Sequence, residues 1–147
     1  MICVRLVGMR KVLIPYFGSK RKIVNLLVET LDGVAYPLSI SNSKLPDVRV
    51  DLFCGTAVWL ASGPRAKLEI ANDYDCYLIN ALRAIRSEPQ TLVEKILSSF
   101  KSDVELRAMI NALRIDKADE LRSCLEADID YYDVKKAAWW LLAYNMS

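Results

Sequence analysis

The pattern of hydrophobic and polar positions divides the chain into a mixed front and a helical back. All five glycines and all five prolines lie at or before Pro89, and the residues after it repeat apolar positions at helical spacing. In the front, VRVDLFCG (48–55) and AKLEIAN (66–72) are predicted strands, with helices at 57–62 and roughly 74–87. This alternation predicts a right-handed βαβ unit with parallel strands.

A further helix is predicted before these strands. Ser19 can cap it, and its apolar face would carry Ile23, Leu26, Leu27 and Leu31. Lys20, Arg21 and Lys22 fill its first turn, where each cation opposes the helix dipole by about 0.3–1 kcal/mol at low salt. This placement favours an anion over the helix start, either a cofactor carboxylate or a DNA phosphate. Three long side chains that extend into water are the alternative explanation.

The back of the chain is predicted to be helical almost throughout. Helices are expected over 91–100, from Ser102 to about Ile115, over about 117–127, and from Asp133 into the final KKAAWWLLAYNMS. Ser102 and Glu105 form a capping box, and Asp133 can cap the last helix. Trp139 and Trp140 would each bury about 150–250 Å². They indicate a partner chain or a homo-oligomer, unless both rings pack on helices within 91–127.

Composition narrows the class of protein. Hydrophobic residues make up 53% of the 147 positions and charged residues 26%, which is typical of a globular domain. The apolar runs are too short for a membrane span, and basic residues interrupt the opening segment, so neither a span nor a signal peptide is predicted. Four scattered cysteines favour reduced thiols in a cytoplasmic protein. The lack of histidine excludes Ser-His and Cys-His nucleophile pairs and most transition-metal sites, so no metal is expected.

The most informative pairing joins VDLFCGT (50–56) to EIANDYD (69–75). A strand that ends at Gly55 allows a sharp turn and leaves backbone amides at the tip of a parallel sheet. Asp73 follows the second strand, where an acidic residue can accept hydrogen bonds from ribose hydroxyls, or can cap the next helix instead. Dinucleotide binding requires GxGxxG, and Gly55 is followed here by Thr56 and Ala57. The pattern therefore favours a nucleoside cofactor without phosphate, such as S-adenosylmethionine, over NAD.

Three motifs in order resemble a known family. They are PYFGSKRKI (15–23), VDLFCGTAV (50–58) and EIANDYDCYLINALRAIR (69–86), and KKAAWWLLAYNMS (135–147) also resembles a family helix. Together they resemble the amino-terminal motifs of Dam-like DNA adenine-N6 methyltransferases. The resemblance implies S-adenosylmethionine as cofactor, double-stranded DNA with an adenine target as partner, and a partial Rossmann-like fold. Residues 1–89 would form the cofactor-binding α/β half-domain and 90–147 the start of the target-recognition region.

The first motif carries over residue by residue. The resemblance implies that Tyr16 and Lys20 contact the cofactor and that Gly18 turns the loop between them. Lys20, Arg21 and Lys22 are also the candidate contacts to DNA phosphates.

The second and third motifs complete the implied cofactor site. Gly55 and Phe53 would shape the methionine pocket, with Asp51 nearby at the strand end, and Asp73 would bind the ribose. An ordinary core position is the alternative for Phe53. Ala57 departs from the family pattern, which has a second glycine there, and its methyl group could narrow the pocket.

The catalytic motif that the resemblance implies is missing from this sequence. The family holds the flipped adenine with an Asp/Asn-Pro-Pro-Tyr turn, and these 147 residues contain no Pro-Pro pair. No catalytic residue is therefore assigned, and activity is expected to need a carboxy-terminal part. Three functions remain open: the cofactor-binding portion of a methyltransferase, a non-catalytic module that binds S-adenosylmethionine or DNA, and a helical interaction protein.

Overall fold

The structure, a computed structural model, describes residues 2–3, 20–32, 47–62, 65–99, 102–114 and 118–146. They belong to two compact units, which divide between Asp73 and Tyr74. The first unit holds the strands and the second is helical, so the chain is a mixed α/β protein. The division precedes the predicted one at 89/90, because the helix that begins at Cys76 packs on the other helices of the second unit.

The first unit contains a three-stranded sheet. Its strands are β1 (Ile2–Cys3), β2 (Val48–Asp51) and β3 (Leu68–Ala71), in the order β1-β3-β2. β2 and β3 are parallel, with Val48 opposite Leu68 and Asp51 opposite Ala71, which confirms the predicted parallel pair. β1 pairs antiparallel with β3, so the sheet is mixed. A strand of two residues is too short to leave a periodic signal in the sequence.

In β2 the charged side chains are buried and the apolar ones are exposed, which is the reverse of a simple core strand. Its charged residues Arg49 and Asp51 are buried, whereas Val48 and Val50 are each more than two-fifths exposed. Successive side chains of a strand point to opposite faces, and in β2 the polar pair takes the covered face.

Arg49 is held by the short helix that follows β2. Its guanidinium lies 4.6 Å from the centre of the Trp59 ring and donates to the main-chain oxygens of Trp59 and Leu60 at 3.2 Å each. Those carbonyls belong to α2 (Val58–Ser62), and Glu69 of β3 lies 3.8 Å away. A cation bound to helix carbonyls compensates the negative end of the helix, and the carboxylate offsets its buried charge.

The segment before β2 is less regular than predicted. Lys20–Lys22 form a 3₁₀ turn, α1 covers only Val24–Leu27, and a π-helical turn covers Val28–Asp32. The three cations therefore precede a four-residue α-helix, and the argument from a helix dipole does not hold for them. Two residues of the expected inward face, Ile23 and Leu26, are exposed.

The second unit is built from five helices within the described residues. They are α3 (Cys76–Ser87), α4 (Pro89–Ser98), α5 (Asp103–Ala112), α6 (Ala118–Ala127) and α7 (Val134–Met146). Ser102 accepts a hydrogen bond from the Glu105 amide at 3.2 Å, and Asp133 accepts one from the Lys136 amide at 2.8 Å. Both predicted helix starts are therefore confirmed, since each side chain satisfies an amide of the first turn.

α7 lies at the centre of this unit and packs against α3, α4 and α5. Trp140 is only 6% exposed, and its ring centre lies 5.0 Å from that of Tyr144. Trp139 is half-buried beneath the ammonium of Lys135. The expectation that Trp140 mediates an interface is wrong, because the helices of its own unit cover it. None of the helices in the described segments combines the length and the hydrophobicity that spanning a bilayer requires.

Two polar side chains of α3 form hydrogen bonds to main-chain atoms of the chain before α7. The fully buried amide of Asn80 donates to the Asp133 carbonyl at 2.8 Å and accepts from the Asp133 amide at 2.6 Å. One turn later, Arg83 donates to the carbonyls of Leu125, Asp128 and Tyr131. Buried polar groups of this kind are stable only because their hydrogen bonds are made within the protein.

Candidate functional site

The loop after β2 is joined to the segment after β3. The Asn72 amide donates to the Asp51 carbonyl at 2.9 Å, and the Cys54 amide donates to the Asn72 carbonyl at 2.8 Å. The Asn72 side chain adds a bond to the Leu52 carbonyl at 2.9 Å. These bonds continue the parallel pairing past the ends of both strands, so the two strand tips form one structured edge.

Gly55 and Asp73 meet at this edge. The Gly55 amide donates to one carboxylate oxygen of Asp73 at 2.9 Å. Gly55 has a φ of 50°, in the left-handed region that glycine adopts without steric cost. α3 is capped by Asp75, which accepts from the amides of Tyr77 and Leu78. Since Asp75 has that role, the alternative reading of Asp73 as the helix cap is wrong.

Asp51 and Lys20 form a second charged pair at the end of β2. The Lys20 ammonium lies 3.0 and 3.2 Å from the two carboxylate oxygens of Asp51, and it also donates to the main-chain carbonyl of Phe53. Asp51 is 5% exposed, whereas a quarter of the Lys20 side chain is exposed. A buried carboxylate requires such a partner, because an unpaired charge in the interior costs several kcal/mol.

Ala57 occupies a position that suits glycine. Its φ is 54° and the residue is fully buried. A non-glycine residue in this region costs about 1–2 kcal/mol, because its Cβ approaches the neighbouring carbonyl. The residue that departs from the family pattern therefore adopts the conformation that the family glycine allows.

The thiol of Cys54 lies near the carboxylates of Asp73 and Asp51, and its environment makes it unreactive. Burial, followed by the negative charges of Asp73 and Asp51, raises the pKa of its thiol to about 12. The reactive thiolate is therefore scarce at neutral pH, and Cys54 is not a candidate nucleophile.

The predicted site residues are placed as follows. Lys20, Asp51, Gly55 and Asp73 lie at the ends of β2 and β3, in the two pairs described above. Phe53 is 78% exposed, so its alternative assignment as a core residue is wrong. Tyr16, Gly18 and the side chain of Arg21 lie outside the described residues.

Two features of the site region were not predicted. Lys20 is bound to Asp51, whereas Lys22 is exposed. The second feature is Asn72, which carries three of the bonds across the strand tips. Its polar amide at the end of a predicted strand is the signal in the sequence that would have indicated this role.

The edge offers a distinctive set of groups. They are the Asp73 carboxylate bound to a backbone amide, the Asp51 carboxylate paired to an ammonium, and the exposed ring of Phe53. A family model described as D12 class N6 adenine-specific DNA methyltransferase matches residues 16–136. The chain belongs to this family.

Membership confirms the resemblance that three short motifs indicated, and the family is one of DNA adenine-N6 methyltransferases. No curated protein and no solved structure matches the chain significantly. The matched region extends from before the 3₁₀ turn at Lys20 into α7, and so includes residues of both units.

Proposed function

We propose that the chain is the cofactor-binding portion of a DNA adenine-N6 methyltransferase and that S-adenosylmethionine binds at the joined tips of β2 and β3. The observation that carries the proposal is the 2.9 Å bond between the Gly55 amide and the Asp73 carboxylate. It fixes an acidic group beside a residue without a side chain, as a ribose close to the backbone requires.

Each group at the edge has a role in this proposal. Asp73 accepts hydrogen bonds from the ribose hydroxyls, and Gly55 leaves room for the sugar. Asp51 and Lys20 bind the amino-acid end of the cofactor through opposite charges. Phe53 covers its sulfonium with an exposed ring. Tyr16 and Gly18 are proposed to complete the site on the strength of the first motif.

The fit is supported by the donor set rather than by the strand order alone. The cofactor carries hydroxyls, an ammonium, a carboxylate and a sulfonium, but no phosphate, which agrees with one glycine where dinucleotides require three. When bound, S-adenosylmethionine supplies a methyl group for transfer to the exocyclic amine of adenine. The wider Rossmann-like arrangement is part of the proposal.

Holding the adenine is assigned to polypeptide beyond these residues. The 147-residue sequence lacks the Asp/Asn-Pro-Pro-Tyr turn that the family resemblance implies for this step. We therefore propose that cytoplasmic methylation of double-stranded DNA needs a carboxy-terminal part with that turn. The helices after Pro89 would contribute to target recognition, and Lys22 is a candidate phosphate contact.

Calorimetry with S-adenosylmethionine tests the cofactor site. Asp73→Asn should weaken binding at least tenfold, since one charged acceptor of the ribose is lost. Asp47→Asn is a matched control, because Asp47 is an exposed residue that pairs with Lys67 at the surface of the same unit. Absence of binding by the parent chain, or equal binding by the parent and Asp73→Asn, would reject the site.

A second experiment tests the enzyme. The chain is co-expressed with a polypeptide that carries the Asp/Asn-Pro-Pro-Tyr turn, and N6-methyladenine is measured in DNA. Methylation that requires both polypeptides supports the proposal. Cofactor binding without methylation by any such pair would favour the non-catalytic module instead.

A further inference from the structure

We propose that Lys20 occupies, in the cofactor-free chain, the position that the α-ammonium of S-adenosylmethionine takes on binding. Cofactor binding is then an exchange of one ammonium for another at Asp51. The inference rests on the proposed function and adds a rule for ligand selection at that site.

The surroundings of the Lys20 ammonium carry the inference. It lies 3.0 and 3.2 Å from the two oxygens of Asp51 and donates as well to the carbonyl of Phe53. A carboxylate together with a main-chain carbonyl satisfies the donors of a primary ammonium. An α-ammonium has the same three donors, so the two groups compete for one place.

The unequal burial of the two partners decides which of them can be released. Asp51 is 5% exposed and cannot lose its cation without a large penalty, whereas a quarter of the Lys20 side chain already meets solvent. Lys20 can therefore leave, provided that another cation reaches Asp51 in the same step.

The amino-acid end of the cofactor meets this condition. Its α-ammonium replaces Lys20 at Asp51, and its α-carboxylate receives the released Lys20, so every charge keeps a partner. A ligand with only the carboxylate draws Lys20 away and leaves Asp51 buried and unpaired. A ligand with only the ammonium displaces Lys20 without offering it a new contact. The site therefore selects ligands that carry both groups.

Two mirrored variants test the exchange by calorimetry with S-adenosylhomocysteine, its decarboxylated analogue and its deaminated analogue. Lys20→Met frees Asp51, so the decarboxylated analogue should bind about tenfold more tightly than it binds the parent. Asp51→Asn frees Lys20, so the deaminated analogue should gain about tenfold instead. The matched controls Lys67→Met and Asp47→Asn, which alter the exposed pair of the same unit, should change neither affinity.

The two variants differ in their risk of unfolding. Lys20→Met leaves a buried carboxylate alone and could unfold the unit, which circular dichroism would reveal. Asp51→Asn leaves a lysine that can reach water, so it keeps the test decisive. Tight binding of S-adenosylhomocysteine by the parent, without the gain in the deaminated analogue for Asp51→Asn, overturns the exchange and leaves the proposed function standing. Failure of the parent to bind any of the three compounds overturns both.

Discussion

The strand-bearing unit and the helical unit differ in the kinds of side chain that they bury. In β2, Arg49 and Asp51 point to the covered face and Val50 is exposed. In α3, Leu78 and Leu82 are almost fully buried in an apolar interior, which α7 shares. The described interior of the first unit thus includes the charged face of β2, whereas that of the second is apolar except for Asn80 and Arg83.

The buried polar groups of the two units also differ in the partners that they bind. Asn80 and Arg83 of the helical unit end on main-chain atoms of their own unit, which fixes the path of the chain before α7. At the strand tips, Asp51 is held by a lysine side chain that can be exchanged. Substitutions in the helical unit should therefore change stability, and those at the strand tips should change ligand binding.

The largest expected effect is in the helical core. Leu82→Ala should lower the free energy of unfolding by about 3 kcal/mol, because it removes buried methyl groups and leaves a cavity. Leu97→Ala, on an exposed face of α4, should change it by less than about 0.5 kcal/mol. Urea unfolding followed by tryptophan fluorescence measures both. Equal losses would contradict the assignment of the core.

Removal of the Asn80 amide is expected to have the next largest effect. Asn80→Ala should cost about 2–3 kcal/mol in urea unfolding, since it leaves the Asp133 amide and carbonyl without their partner. Asn111→Ala, on an exposed position of α5, is the matched control. A near-neutral Asn80→Ala would show that the segment before α7 is held by other contacts.

A gain is expected at Ala57. Ala57→Gly should stabilise the first unit by about 1 kcal/mol, because glycine adopts a φ of 54° without steric strain. Ala61→Gly, in the short helix α2, should instead destabilise it by about 1 kcal/mol. Thermal unfolding of the two variants against the parent gives the opposite signs. Destabilisation by Ala57→Gly would refute the strain at this position.

The smallest effect concerns the buried thiol of Cys54. Because burial raises the pKa of Cys54 to about 12, iodoacetamide at pH 8 should modify Cys124 well before Cys54. The raised pKa stabilises the folded state below the unfolded value of 9.0, and this contribution is lost as the pH rises towards 12. Mass spectrometry of the alkylated peptides measures the order, and early modification of Cys54 would contradict its burial.

The sequence predicted local features well. Helix starts at Ser102 and Asp133 were confirmed because a cap and the amide it satisfies lie three residues apart. The parallel pairing of β2 with β3 followed from the alternation of strand and helix.

What the sequence did not reveal depends on partners that are distant along the chain. Lys20 binds Asp51 across 31 positions, and Asn80 binds Asp133 across 53, and neither contact leaves a periodic trace. The burial of Arg49 was not predicted for the same reason. Trp59 and Glu69, which it contacts, follow later in the chain.

The claim that most of this account depends on is that an adenosyl ligand binds beside Gly55. Amide chemical shifts recorded during a titration with S-adenosylmethionine test it directly, because the Gly55 amide bonds to Asp73 at the proposed contact. The account predicts saturable shifts of the Cys54, Gly55 and Asp73 amides and little change at Leu121 in α6. Saturable shifts confined to the helices α3 to α7, or none at the strand tips, would contradict it.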